Sequence, residues 1–166
     1  MMKVPQLDLK RQHAALKPQI QEALWRVIDS GQFILGPDVA ALEKEVAKRY
    51  GVEFAIGVSS GTDALILSLR ALGIGPGHRV LTSPFTFFAT CSAILNVGAI
   101  PVFADIDPKT FNLDPESVKR VLAEDGEHTI KALLPVHLYG QGADMKTLLE
   151  IAHKHELFVV EDACQG

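Results

Sequence analysis

The segment VVEDACQG (159–166) runs two apolar β-branched residues straight into a Glu-Asp pair. Period-two alternation puts Val160 and Asp162 on one face of a strand and Glu161 on the other, so Asp162 follows the buried side. A carboxylate there is costly unless something meets it. It could ligate a metal, pair with an arginine, face the protonated nitrogen of a cofactor, or simply cap the next helix. A second segment, VSSGTDAL (58–65), ends a strand and opens a helix. Free N–H groups at that helix start, with the Ser60 and Thr62 hydroxyls, would seat a phosphate. The alternative is a cap in which Ser60 answers Asp63 and no ligand is needed. A third, SPFTFFATCSAI (83–94), crowds three phenylalanines into four positions at a helix opening. One could offer its ring to a flat heterocycle while the others pack inward.

Other chemistries fit poorly. The HKHE cluster at His153, His155 and Glu156 lies at a solvated helix end without zinc-site spacing, so no metal site is expected. There is no GxSxG nucleophile elbow and no GxxxxGK[ST] phosphate loop. GIGPGH (73–78) precedes a strand instead of following one, which makes it turn chemistry.

The elements that must position these segments follow from the apolar spacing. Leu9, Leu16, Ile20, Leu24, Val27 and Ile28 fit one face of a helix from about Asp8 to Ser30, with Pro18 complicating its first turn; Pro37 opens a second helix closed by Gly51. Strands are then expected at 54–58, 79–83, 100–105, 130–138 and 157–162, alternating with helices at 62–73, 86–98, 114–123 and 143–155. Apolar strands alternating with helices predict an α/β fold with a parallel sheet covered on both faces. In such sheets ligands bind at the carboxyl ends of the strands, where all three segments fall.

At 166 residues the chain can bury a core, and 48% hydrophobic against 22% charged residues is an ordinary globular balance. A net charge of −4 with scattered lysines and arginines gives no footprint for nucleic acid or anionic membrane. Two cysteines cannot build a disulfide framework, which points to a reducing compartment. The N-terminus MMKVPQLDLKRQ lacks an apolar signal region, and no apolar run reaches membrane-spanning length; a cytoplasmic location is expected.

GQFILGPDVAALEKEVAKRYGVEFAIGVSSGTDAL, PFTFFAT, PVFADIDPKTFNLDPE, LLPVHLYGQGADM and VVEDACQG follow one another in order. Together they resemble the DegT/DnrJ/EryC1/StrS group of pyridoxal-phosphate-dependent sugar aminotransferases, from about Leu7 to Gly166. The resemblance implies an aspartate-aminotransferase-like (fold type I) large domain. Residues 1–52 would form an N-terminal helical segment and 53–166 part of the cofactor-binding domain, with the remainder and a small C-terminal domain absent. It implies pyridoxal phosphate as cofactor, a nucleotide-linked keto sugar as substrate, glutamate as the usual amino donor, and a homodimer.

Residue by residue, the resemblance pairs Asp162 with the pyridine nitrogen, sets Gln165 near the ring oxygen and stacks Phe87 on the ring. Gly61 and Thr62, and Ser60 with them, match the phosphate seat. His137 and Tyr139 belong to the same signature and read as core or supporting residues. Two departures stand out: His78 and Arg79 replace an acidic turn and should be surface, and Cys164 stands where alanine is usual.

The Schiff-base lysine of the family would lie beyond Asp162, and Lys131, Lys146 and Lys154 are not credible substitutes. The chain is therefore expected to be the N-terminal part of an aminotransferase, inactive alone. A dehydratase on the same framework, with histidine replacing the lysine, and a truncated non-catalytic binding or regulatory domain are the alternatives.

Overall fold

The computed structural model describes residues 5, 7–126 and 128–166. The chain divides into two compact units, Met1–Gly57 and Val58–Gly166. In the first, helix α1 (Leu9–Ser30) runs uninterrupted through Pro18, with the Asp8 side chain accepting from the Arg11 N–H at its start. Helix α2 (Pro37–Tyr50) starts on proline, whose missing N–H costs nothing there. It ends at Gly51, whose φ of 67° a side chain would disfavour. Neither helix contains a buried residue.

In the second unit, α3 (Gly61–Ala71), α4 (Phe88–Asn96), α5 (Pro115–Glu124) and α6 (Met145–Lys154) alternate with β1 (Arg79–Thr82), β2 (Ile100–Phe103), β3 (Ile130–Leu134) and β4 (Phe158–Val159). All pairings are parallel and the strand order is β2-β1-β3-β4. Alternate residues of the central strands serve two cores. Val80, Ala132 and Leu134 pack with Leu65, Leu69 and Ile94 of α3 and α4. Leu81 and Leu133 pack with Val118, Leu148 and Ile151 of α5 and α6. Covering both faces explains why these strands read as continuous apolar runs. Each fully buried aliphatic contributes about 1.5–3 kcal/mol.

Three expectations need correction here. Residues 54–58 are not a strand: they carry none of the regular hydrogen-bonded pairing that a strand requires. The run expected at 130–138 stops at Leu134, because Pro135 has no N–H for the ladder, and a short 3₁₀ turn follows at Leu138–Gly140. Nor is Arg79 simply a surface residue. It is half-buried, and its guanidinium lies 3.4 Å from the buried Asp125 carboxylate.

Among the described residues no helix is long and apolar enough to cross a membrane.

Candidate functional site

Beyond the last regular pair of β3 and β4, the parallel ladder resumes for one rung between Val136 and Asp162. The Asp162 N–H donates to the Pro135 carbonyl (2.9 Å), and its own carbonyl accepts from the His137 N–H (3.0 Å). These bonds fix the backbone of Asp162 at the carboxyl end of the sheet. The alternation read from the sequence holds here: Val160 and Asp162 are buried at 8% and 7% exposure, and Glu161 is exposed.

The Asp162 carboxylate accepts from a buried hydroxyl and from a backbone N–H. Oδ2 accepts from the Thr90 hydroxyl at 2.8 Å, and Oδ1 accepts from the Cys164 N–H at 3.3 Å. Thr90 is fully buried on the inward face of α4, and its Oγ1 lies 2.9 Å from that of Thr86 one turn earlier. Thr90 has one hydroxyl proton, and the carboxylate takes it. The Thr86 hydroxyl must therefore donate to Thr90, giving a directed relay from Thr86 through Thr90 to Asp162.

The cleft above Asp162 has a volume of about 340 Å³. Gly61, Thr62, Phe87, Asp162 and Gln165 all line it, as do Thr86 and Cys164. Of the six residues expected to bind the cofactor, Ser60 alone is not in its wall. Its hydroxyl caps α3, accepting from the Asp63 N–H (3.1 Å) and donating to the Asp63 carboxylate (2.9 Å). Ser59 also donates to that carboxylate, and the two hydroxyls hold the Asp63 carboxyl below its ordinary range. The Asp63 side chain is thus occupied, while the N–H groups of Gly61 and Thr62 donate to no group among the described residues. They are the orphan donors of a helix start and suit an anion. A Cβ at Gly61 would come within 2.6 Å of the Cys164 sulfur, which would have to move to admit it.

Phe87 stands just before α4, 74% exposed, with its ring at the cleft. The other two phenylalanines do not pack inward as expected. Phe88 is 71% exposed, and Phe85, 45% exposed, tilts against Phe111 at 6.0 Å. With α4 starting at Phe88, the inward positions fall to Thr90, Ala93 and Ile94.

His137 supports the site from the side. Its Nδ1 accepts from the Ala143 N–H (3.1 Å), so the proton sits on Nε2, which donates to Glu161 (2.8 Å). The Cys164 thiol is pushed up, chiefly by its hydrogen bond to Asp162, then by burial and the carboxylate charge. Thr90 and Thr86 escaped the sequence reading. Their i, i+4 spacing at the head of α4 was the available signal.

Among the described residues no cluster of histidine, cysteine, aspartate or glutamate suits a metal ion. The donor set fits a flat, phosphate-bearing cationic heterocycle: a buried carboxylate, an aromatic face and an anion-seeking helix start.

Comparison with known proteins follows the same lines. Residues 14–166 match the DegT/DnrJ/EryC1/StrS aminotransferase family. A pleiotropic regulatory protein of Geobacillus stearothermophilus is 48% identical over 99% of this chain and 43% of its own length. The UDP-2-acetamido-2-deoxy-3-oxo-D-glucuronate aminotransferase of Pseudomonas aeruginosa is 43% identical over 96% of this chain and 44% of its own. The chain thus spans less than half the length of these relatives. Streptomyces venezuelae DesV, solved in complex with a ketimine intermediate, superposes with a TM-score of 0.94 at 42% identity, covering 100% of this chain and 44% of DesV. NtdA of Bacillus subtilis, solved with bound cofactor PMP, gives 0.93 at 37% identity over 100% of this chain and 38% of NtdA. The α/β, aspartate-aminotransferase-like fold is borne out, and the chain belongs to the DegT/DnrJ/EryC1/StrS aminotransferase family.

Proposed function

We propose that this chain supplies the cofactor-binding part of a pyridoxal-phosphate-dependent aminotransferase that moves an amino group, from glutamate, onto a nucleotide-linked keto sugar. The observation that carries the reading is the buried Asp162 carboxylate at the cleft, with a hydroxyl donor on one oxygen and a backbone donor on the other. The names of relatives acting on UDP- and dTDP-linked sugars support amino transfer over dehydration.

When bound, pyridoxal phosphate supplies an electron-withdrawing ring that stabilises negative charge as a substrate proton leaves. The chain's own residues make that possible. Asp162 would hold a proton on the ring nitrogen, and the relay from Thr86 and Thr90 keeps the carboxylate aimed. The N–H groups of Gly61 and Thr62, with the Thr62 hydroxyl, hold the phosphate. Phe87 covers one face of the ring and keeps water from it. Gln165 donates to the ring oxygen. In this reading Ser60 acts on the phosphate only by shaping the turn.

Among the described residues lining the cleft there is no lysine. This supports the reading that these 166 residues alone would hold the cofactor without a covalent bond and would not transaminate. The working enzyme is a cytoplasmic homodimer, with 1–52 as a helical segment ahead of the α/β domain.

The test is turnover of glutamate to 2-oxoglutarate by the natural-length protein with UDP- or dTDP-linked keto sugars, comparing wild type with Asp162→Asn. A loss of orders of magnitude with an unchanged melting curve is expected. Near-wild-type turnover in the variant would overturn the assignment of Asp162.

A further inference from the structure

Asn112 lies at 3% exposure in the connection between β2 and α5, with both ends of its amide engaged. Its Oδ1 accepts from the Leu138 N–H (3.1 Å), and its Nδ2 donates to the Gln141 carbonyl (2.8 Å). It therefore grips the turn between these two residues at its first and last positions. Inside that turn Tyr139 has φ 55° and ψ 23°, a left-handed conformation that a bulky residue adopts only when its surroundings impose it. The constraint has a visible product. The Tyr139 N–H points at Gln165 and donates to its Oε1 at 2.7 Å. Gly140 follows at φ 82°, and a Cβ there would come within 2.8 Å of the Gln165 carbonyl, so turn and Gln165 lie in close contact.

A backbone N–H can only donate, so the atom of the Gln165 amide that meets Tyr139 must be its oxygen. That sets which way round the amide plane stands. The Nε2 end finds no acceptor among the described residues, and Gln165 lines the cleft. We propose that Asn112 is a positioning residue: by imposing the left-handed turn at Tyr139 it fixes the Gln165 amide with its donor end toward the ligand, so that Gln165 recognises a ring oxygen and discriminates against ligands lacking an acceptor there. The proposal rests on reading the cleft as a pyridoxal-phosphate site. It adds a residue whose side-chain hydrogen bonds go to the turn and not to Gln165.

A double-mutant cycle on the natural-length protein tests it. The dissociation constant for pyridoxal phosphate is measured by visible absorbance for wild type, Asn112→Ala, Gln165→Ala and the double variant. Amide hydrogen exchange at Tyr139 is read in parallel. Asn112→Ala should raise the constant roughly three- to tenfold, the range expected for one hydrogen bond, and should accelerate Tyr139 exchange. In the Gln165→Ala background the same change should add nothing. Full additivity, or an unchanged affinity in Asn112→Ala, would overturn the positioning role, because a merely structural effect is felt equally in both backgrounds.

Should Asn112→Ala fail to fold, Gly140→Ala perturbs the same contact from an exposed position. It should produce the same rise in the constant, and faster Tyr139 exchange with unaltered affinity would again overturn the proposal. If wild type shows no saturable binding, the reading of the cleft itself falls, an outcome distinct from failure of the cycle.

Discussion

Thr90 donates its hydroxyl proton to Asp162 across 2.8 Å, joining the inward face of one helix to the end of a strand 72 residues later. A hydrogen bond to a charged group is worth more than a neutral one, and this one is buried at both ends. Thr90→Val keeps the shape and removes the proton. Turnover should fall roughly tenfold or more, from the 1.5–3 kcal/mol typical of such bonds. Thr90→Ser should restore most of it, with turnover and melting temperature measured together. A valine variant as active as wild type would make the relay dispensable.

Ser60 and Thr62 should separate cleanly. Ser60→Ala removes the cap of α3 and should cost about 1 kcal/mol in urea denaturation, with cofactor affinity little changed. Thr62→Ala should do the reverse, weakening cofactor retention at nearly unchanged stability. The two variants exchanging these effects would reassign the hydroxyl at the phosphate.

The contact between Gly61 and the Cys164 sulfur predicts a change in thiol chemistry. In Gly61→Ala the added Cβ would sit 2.6 Å from Sγ, so the thiol must swing away and lose its bond to Asp162. That bond is the main reason the thiol titrates above its ordinary value. Alkylation of Cys164, resolved from Cys91 by mass spectrometry, should therefore set in at lower pH in the variant. An unshifted profile would mean the sulfur had not moved.

Asp125 predicts an acid limb of stability. Burial pushes its carboxyl up, but the Ile130 N–H, the Thr129 side chain and backbone, and the Arg79 charge outweigh that and hold it below its ordinary value of 3.8. A depressed folded value means the contribution is complete above the ordinary value and drains away as pH falls through the lower, folded one. Asp125→Asn should cost about 1–3 kcal/mol at pH 7 by denaturation, with the gap to wild type closing as pH drops below the ordinary carboxylate range. A gap independent of pH would exclude the charge as its source.

Much of this was legible where the cause is local. Asp8, Pro37, Asp114 and Asp144 mark helix starts within a residue or two because capping is decided by adjacent atoms. The burial of Asp162 follows from simple alternation. What could not be read depends on neighbours distant in sequence. Residues 54–58 have the composition of a strand but do not pair as one. Thr90 meets Asp162, and Asn112 meets the turn at Leu138, only because the topology brings those ends together. Phe85 and Phe88 were misplaced because the rotational phase of α4 depends on where its first turn begins.

The Arg79–Asp125 pair sits where β1 and β3 begin, and Asp162 lies past their opposite ends. Durability and reactivity are thereby assigned to opposite poles of the same strands. A lineage adapting to heat or acid can alter the first pole while leaving the candidate site at the second unchanged. An engineer seeking a hardier protein has the same freedom, with Asp125 and its donors as the place to begin.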